Sequence, residues 1–136
     1  MTFACFCGGV RLLTTKKPDF IHACNCDLCR KSGAHWGYFA PSEVTVTGQT
    51  ATYRRHDKPE PGVDVHFCTG CGSTTHFRLT AAAVRKHGDV VMGGNACLID
   101  ETALEGIELR YPNGKAWSGE GEFGYVRASR ILGTAA

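Results

Sequence analysis

Three of the eight cysteines in this 136-residue chain lie within six residues, at Cys24, Cys26 and Cys29. A tetrahedral zinc ion with Zn–S bonds of about 2.3 Å holds its sulfur ligands about 3.8 Å apart. Cys24 and Cys26 can reach one ion by leaning towards each other at a strand end, and Cys29 can reach it after a tight turn. The spacing therefore predicts that these three thiols bind one metal ion, with Zn²⁺ the best match to thiolate ligands.

Three ligands from one segment leave the fourth position of a tetrahedral ion unassigned. If that position is open, it accepts water or substrate, as in catalytic zinc sites. If another part of the chain supplies a fourth ligand, the site is closed and structural. The spacing alone does not separate these alternatives, and both stay open at this point.

Two further cysteine pairs supply four more thiols. Cys5 and Cys7 precede the turn Gly8-Gly9, and Cys68 and Cys71 form a C-x-x-C knuckle between two alternating segments. Glycine in such turns lets backbone donors approach thiolates closely and adopts positive φ without strain. We expect these four thiols to form a closed structural site.

The cysteine usage also bears on the compartment. No apolar run approaches the roughly 18 residues needed to cross a bilayer, and Met1–Cys5 leaves no room for a signal peptide before the first cysteine pair. We therefore expect a cytoplasmic protein, in which reduced cysteines favour metal over disulfides. In an exported chain the eight cysteines could form disulfides instead, although close pairs such as Cys5 and Cys7 would be poor partners.

The charge balance excludes one class of partner. The chain carries 15 basic and 13 acidic residues, a net charge of +2, and no block of basic residues. This is not the electrostatic footprint of a nucleic-acid-binding protein. We expect no nucleic-acid or membrane partner, and homodimer formation is left open.

Alternating apolar residues and turn residues predict a single β-rich domain over residues 1–136. The first predicted strand begins at residue 3, and the others cover residues 20–24, 36–40, 44–47, 50–55, 63–67, 75–79, 89–92 and 107–111. The pair 44–47 and 50–55 is predicted to form a hairpin across Gly48-Gln49. One short helix is expected over 80–87, and loops over 93–100 and 112–124.

Three motifs in this order resemble those of the glutathione-dependent formaldehyde-activating enzyme family, also called the Gfa or centromere-protein-V-like family. They are C-x-C-G-G at 5–9, C-x-C-x-x-C-R-K-x-G at 24–33 and F-C-x-x-C-G at 67–72. The resemblance covers about residues 3–100. Each motif is weak alone, but their order and separation make the match specific.

The resemblance implies a β-tent fold of stacked antiparallel sheets, with zinc-binding knuckles and at most one short helix. It implies that Cys5, Cys7, Cys68 and Cys71 bind a structural zinc ion. It also implies that Cys24, Cys26 and Cys29 bind a second, catalytic zinc ion. The implied activity is that of a carbon–sulfur lyase acting on glutathione–formaldehyde adducts or a related small thiol adduct, with glutathione as co-substrate.

Several residues near the middle motif are candidates for substrate contacts or depart from the family pattern. Arg30 is a candidate for binding a carboxylate of the tripeptide, and Trp36 and Tyr38 are candidates for the pocket wall. Asn25 stands where the family often has histidine, so we expect the groups around the ligands to differ. Cys97 belongs to no motif, and its role is not assigned.

Two other functions compete with the enzyme hypothesis. In a non-catalytic binding module, both zinc ions would only stabilise the fold. In a thiol redox sensor, Cys24, Cys26 and Cys29 would release zinc on oxidation. A coordinatively open three-thiol site favours the enzyme, because a purely structural site has no use for a vacant position.

Overall fold

The computed structural model describes residues 1–134 and consists mainly of β-strands. The strands are β1 (Thr2–Ala4), β2 (Arg11–Thr14), β3 (Phe20–His22), β4 (Trp36–Phe39), β5 (Val44–Thr47), β6 (Thr50–Arg54), β7 (Val63–Cys68), β8 (Thr74–Leu79), β9 (Met92–Asn95), β10 (Glu108–Pro112) and β11 (Tyr125–Ile131). Two helices, α1 (Asp27–Ser32) and α2 (Ala81–His87), join them. Short 3₁₀ turns cover Pro41–Glu43, Ala96–Leu98, Glu101–Leu104 and Gly114–Ala116.

The strands form two sheets. Eight strands follow the order β11-β10-β3-β4-β9-β8-β7-β6, and three follow the order β1-β2-β5. Neighbouring strands are antiparallel except for β3 and β10, which run parallel. The predicted fold of stacked, largely antiparallel sheets is confirmed.

The small sheet packs on one face of the large sheet through an apolar core. Phe3 and Leu12 come from the small sheet, and Phe39 and Met92 come from the large one. The rings of Phe3 and Phe39 meet edge to face, with centroids 6.0 Å apart. Such pairs gain roughly 1 kcal/mol beyond the burial of their area, so this contact helps to fix how the sheets stack.

The central strand β9 contradicts the sequence prediction for this region. Residues 93–100 were expected to be a loop, but Gly93 and Gly94 lie in the strand, which begins at Met92. A Cβ on Gly93 would lie 2.0 Å from the Phe77 ring, and one on Gly94 would lie 2.8 Å from the Phe3 ring. The two glycines therefore serve to admit an aromatic ring on each face of the sheet.

The predicted hairpin between residues 44–47 and 50–55 is also wrong. β5 pairs with β2 in the small sheet, whereas β6 pairs with β7 in the large sheet. Gly48, with φ of +99°, lies where the chain passes from one sheet to the other, and a Cβ there would lie 2.0 Å from the Gly9 carbonyl oxygen. The turn signal was correct, but the strands that it joins belong to different sheets.

Two further elements were not predicted. β11 was missed because all seven of its residues are exposed, so it lacks the alternation of a half-buried strand. α1 replaces the tight turn expected after Cys26. It starts because the Cys26 sulfur accepts the Cys29 N–H at 3.3 Å, and it ends at Gly33, whose φ is +68°.

The helix predicted at 80–87 is confirmed as α2, with Thr80 as its N-cap. The Thr80 hydroxyl accepts the Ala83 N–H at 3.2 Å, as expected for a capping residue. Neither this helix nor α1 is long and apolar enough to cross a membrane, and the same holds for every helix within residues 1–134.

We expect Gly93→Ala to destabilise the protein by about 1–3 kcal/mol, because the new methyl group would overlap the Phe77 ring. Gly62→Ala is a matched control, because a Cβ there has no neighbour within 4 Å. Urea unfolding of the two zinc-loaded variants measures the difference. Equal unfolding midpoints would show that Phe77 does not require a glycine beneath it.

Candidate metal centres and active site

Four cysteine sulfurs meet where the small sheet joins the large one. Cys5 and Cys7 lie in the turn between β1 and β2, Cys68 ends β7, and Cys71 lies in the turn between β7 and β8. All four sulfurs are within 4.8 Å of one another, and both Cys5–Cys7 and Cys7–Cys68 measure 3.7 Å. Tetrahedral Zn–S geometry requires about 3.8 Å, whereas a disulfide requires about 2.05 Å. The spacing fits a metal ion.

Backbone amides of the two turns orient these sulfurs. The Val10 N–H donates to Cys5 Sγ at 3.2 Å, and the Gly70 N–H donates to Cys68 Sγ at 3.3 Å. Hydrogen bonds from the Ser73 hydroxyl and amide lower the pKa of Cys71 to about 5. Donors aimed at the sulfurs favour their thiolate form, which is the form that binds metal.

The other three motif cysteines meet beside β3. Cys24 follows β3, Cys26 caps α1, and Cys29 lies within the helix. Their sulfurs are also within 4.8 Å of one another, so the structure brings together the three thiols that the sequence grouped. The Cys26 N–H donates to Cys24 Sγ at 3.5 Å, which places both side chains on the same side of the chain. We call this set the thiol trio.

The three thiols of the trio shift one another's pKa values. Hydrogen bonds from Cys24 and Cys29 lower the pKa of Cys26 to about 2, with smaller contributions from the Cys29 amide and the charge of Arg55. The same interactions raise the pKa of Cys29, and its hydrogen bond with Cys26 raises the pKa of Cys24. The neighbouring thiols thus favour ionisation of one sulfur and disfavour that of the other two, and a bound cation would offset the charge of three thiolates.

Aromatic and polar side chains of β3 and β4 form the surroundings of the trio. The indole N–H of Trp36, which is 4% exposed, donates to Cys29 Sγ at 3.4 Å. The Tyr38 hydroxyl is hydrogen-bonded to His22 Nδ1 at 3.0 Å. Burial, followed by the charges of the trio, raises the pKa of Tyr38, so its hydroxyl stays protonated near these thiols.

His22 is 5% exposed, and its Nε2 atom has no hydrogen-bond partner among residues 1–134. Its ring is enclosed by aromatic neighbours, with centroids 5.2 Å from Tyr38 and 5.4 Å from Phe123. Burial and, to a smaller extent, the charge of Arg110 lower the pKa of His22 to about 4. The imidazole is therefore neutral at pH 7, with one nitrogen engaged by Tyr38 and the other unpaired.

The loop after β10 passes directly over the trio. A Cβ on Gly114 would lie 2.2 Å from Cys24 Sγ, so the loop can approach only with glycine at this position. Asn25 holds the loop in place: its Nδ2 donates to Asn113 Oδ1, and its Oδ1 accepts the Lys115 N–H, both at 2.9 Å. The residue that departs from the family pattern is thus a clamp for this loop.

The remaining predicted residues lie apart from the trio sulfurs. Arg30 is on the exposed side of α1 and pairs with Asp27 at 3.1 Å, with 58% of its side chain exposed. Cys97 belongs to neither thiol set among the described residues. By contrast, sequence analysis placed Tyr38 in the pocket wall but missed its contact with His22, and it missed Arg55, which follows β6. Their alternation along the strands, with Trp36 and Tyr53 respectively, is the signal that could have placed them.

Fold and thiol sets together define a mainly β protein with one candidate metal centre of four thiols and another of three. The family model described as glutathione-dependent formaldehyde-activating enzyme matches residues 1–105, and the chain belongs to this family. A crystal structure of a Rhodobacter sphaeroides protein has a similar fold, with a TM-score of 0.56 at 22% identity, over 74% of this chain and 88% of that one. No match was found among curated proteins.

We expect the two thiol sets to respond differently to loss of one sulfur. Cys26→Ser keeps an oxygen that can cap α1, so it should lose one bound zinc ion and less than about 2 kcal/mol of stability. Cys68→Ser should abolish cooperative folding, because metal binding at a closed site contributes directly to folding. Elemental analysis and thermal unfolding measure both effects, and equal losses in the two variants would contradict this division.

Proposed function

We propose that the protein is a zinc-dependent enzyme of the carbon–sulfur lyase type, which joins a small thiol such as glutathione to formaldehyde and reverses that reaction. The observation that carries this proposal is the composition of the thiol trio. Within residues 1–134, no fourth Cys, His, Asp or Glu ligand atom joins Cys24, Cys26 and Cys29. A zinc ion held by three thiolates has one position for an incoming ligand.

The donor sets fit zinc at both centres. Thiolates are soft ligands that bind zinc strongly. The 3.7 Å sulfur separations in the set of four match a tetrahedral ion, and the trio sulfurs lie within 4.8 Å of one another. We assign a structural zinc ion to Cys5, Cys7, Cys68 and Cys71, and the reactive one to the trio. Zinc bound at the trio would lower the pKa of a coordinated thiol, so that the thiol is deprotonated and nucleophilic at neutral pH.

The proposed reaction is a balanced addition that needs no oxidant or reductant. The substrate sulfur forms a bond to the aldehyde carbon, and the π electrons of the carbonyl move to its oxygen. The thiol loses one proton and the oxygen gains one, so the number of protons is unchanged. The reverse reaction breaks the same carbon–sulfur bond and returns the thiol and the aldehyde.

Tyr38 and His22 supply the proton donor for this oxygen. With the His22 proton on Nδ1, the imidazole donates to the Tyr38 oxygen across the 3.0 Å contact. The Tyr38 hydroxyl hydrogen is then free to point towards the substrate. A donor positioned where negative charge develops stabilises the transition state more than the ground state. The indole N–H of Trp36 already donates to Cys29 Sγ. The Tyr38 hydroxyl is therefore the nearby donor that remains for the substrate oxygen.

The alternative function is a zinc-stabilised binding module without catalysis. A module gains nothing from a pair of half-buried Tyr38 and buried His22 beside an open thiol site, since burying polar groups without full partners costs free energy. This pair therefore favours the enzyme. The two functions differ in one measurable quantity, which is the rate of exchange between formaldehyde, glutathione and their adduct.

Exchange spectroscopy by NMR tests the proposal with zinc-loaded protein. Wild type should accelerate adduct exchange over the uncatalysed rate, and Tyr38→Phe should lower kcat about 100-fold because the oxyanion loses its donor. Tyr53→Phe is the matched control, since Tyr53 is exposed and its hydroxyl contacts His56. It should leave kcat unchanged.

An exchange rate equal to the uncatalysed rate, in protein carrying two zinc ions per chain, would reject the enzyme and favour the module. Equal activity in Tyr38→Phe and wild type would reject the role of Tyr38 alone.

A further inference from the structure

Arg55 directly follows β6, and the strand register shows which face of the large sheet its side chain shares. The pairing of Arg54 with Asp64 places the following residue opposite Val63. Val63 packs against the same apolar cluster as Leu28 and Cys29 of α1. Since alternate residues of a strand share a face, Arg55 lies on the face of the sheet that carries α1.

Asp57 fixes the side chain of Arg55 but leaves some of its N–H donors unpaired. Only 15% of it is exposed, and Asp57 engages its Nε and Nη2 atoms at 2.8 and 2.9 Å. No hydrogen bond within residues 1–134 engages its Nη1 atom or joins it to a trio sulfur. The guanidinium thus keeps an edge with free N–H donors.

The charge of Arg55 nevertheless reaches the trio. The hydrogen bonds to Asp57 are the main cause that raises the pKa of Arg55, and the charges of Cys26 and Cys29 add to it; the charge of Arg55 makes a small contribution to lowering the pKa of Cys26. Arg55 is therefore within electrostatic range of the sulfurs but makes no hydrogen bond to them. A group bonded to a substrate sulfur at the trio would lie in the same region.

We propose that Arg55 binds a carboxylate of the thiol substrate, and so selects thiols that carry a carboxylate over neutral ones. This inference rests on the proposed function, because it takes the trio as the place where the substrate sulfur enters. A guanidinium matches a carboxylate in shape and charge, and partial burial makes the resulting hydrogen bonds stronger than at the surface. Asp57 holds the side chain in place before the substrate arrives, which lowers the entropy cost of binding.

The cations Arg30 and Lys115 are poorer candidates. Arg30 and Lys115 have 58% and 66% of their side chains exposed, and both pair with Asp27. Exposed ion pairs of this kind contribute little, because water and salt screen them. Arg55 is the more buried cation, so its contact with a substrate carboxylate would be less screened.

Calorimetric titration of the zinc-loaded full chain, without formaldehyde, tests this role. The two probes are glutathione and its dimethyl ester, which differ in the charge of both carboxylates. Wild type should bind glutathione about tenfold or more tightly than the ester. Arg55→Gln should bring the ratio of the two Kd values close to one, whereas Arg55→Lys should keep part of it because the charge remains.

Arg30→Gln is the matched control and should keep the wild-type ratio. Zinc content of two ions per chain and an unchanged melting temperature establish that the variants are folded. A wild-type Kd ratio retained in Arg55→Gln would overturn the inference. An equal loss of affinity for both probes would overturn it too, because it would mean that Arg55 acts on the charge of the metal centre. If wild type with two zinc ions binds neither probe, the proposed function fails along with the inference.

Discussion

The structure depends on seven sulfur atoms gathered into two separate sets, one of four and one of three. The set of four ties the β1–β2 turn of the small sheet to the β7–β8 turn of the large sheet, beside the shared core of Phe3, Phe39 and Met92. Such a link joins segments about 60 residues apart, as Cys7 and Cys68 show. The Phe6 N–H, which donates to the Ser73 hydroxyl at 3.2 Å, adds a hydrogen bond between the same two turns.

The opposite face of the large sheet is organised around the set of three. Gly93 admits the Phe77 ring, and that ring packs edge to face against Trp36 at 5.0 Å. Trp36 in turn donates to Cys29. A glycine in the central strand therefore supports the position of a thiol in the site through two aromatic rings. Phe77 and Trp36 therefore both pack the sheet and position the candidate site.

Much of this could be predicted from the sequence because it depends on local spacing. Cysteine spacing predicted both thiol sets, and Thr80 and Gly88 marked the ends of α2. The errors came from residues whose role is set by distant neighbours. Gly93 and Gly94 were predicted to lie in a loop because their partners, the Phe77 and Phe3 rings, are remote in sequence. Arg55 was missed for the same reason: its alternation with Tyr53 shows that the two share a face, but only the pairing of β6 with β7 shows which face of the sheet that is.

The central claim is that the thiol trio holds an ion with one position open to a substrate sulfur. Anomalous scattering from crystals at the zinc absorption edge, with and without glutathione, tests it most directly. We predict two peaks per chain, one within Cys5, Cys7, Cys68 and Cys71 and one at the trio, with the glutathione sulfur as fourth ligand of the second. A single peak, or a second ion whose fourth ligand is a protein side chain in both crystals, would contradict the claim.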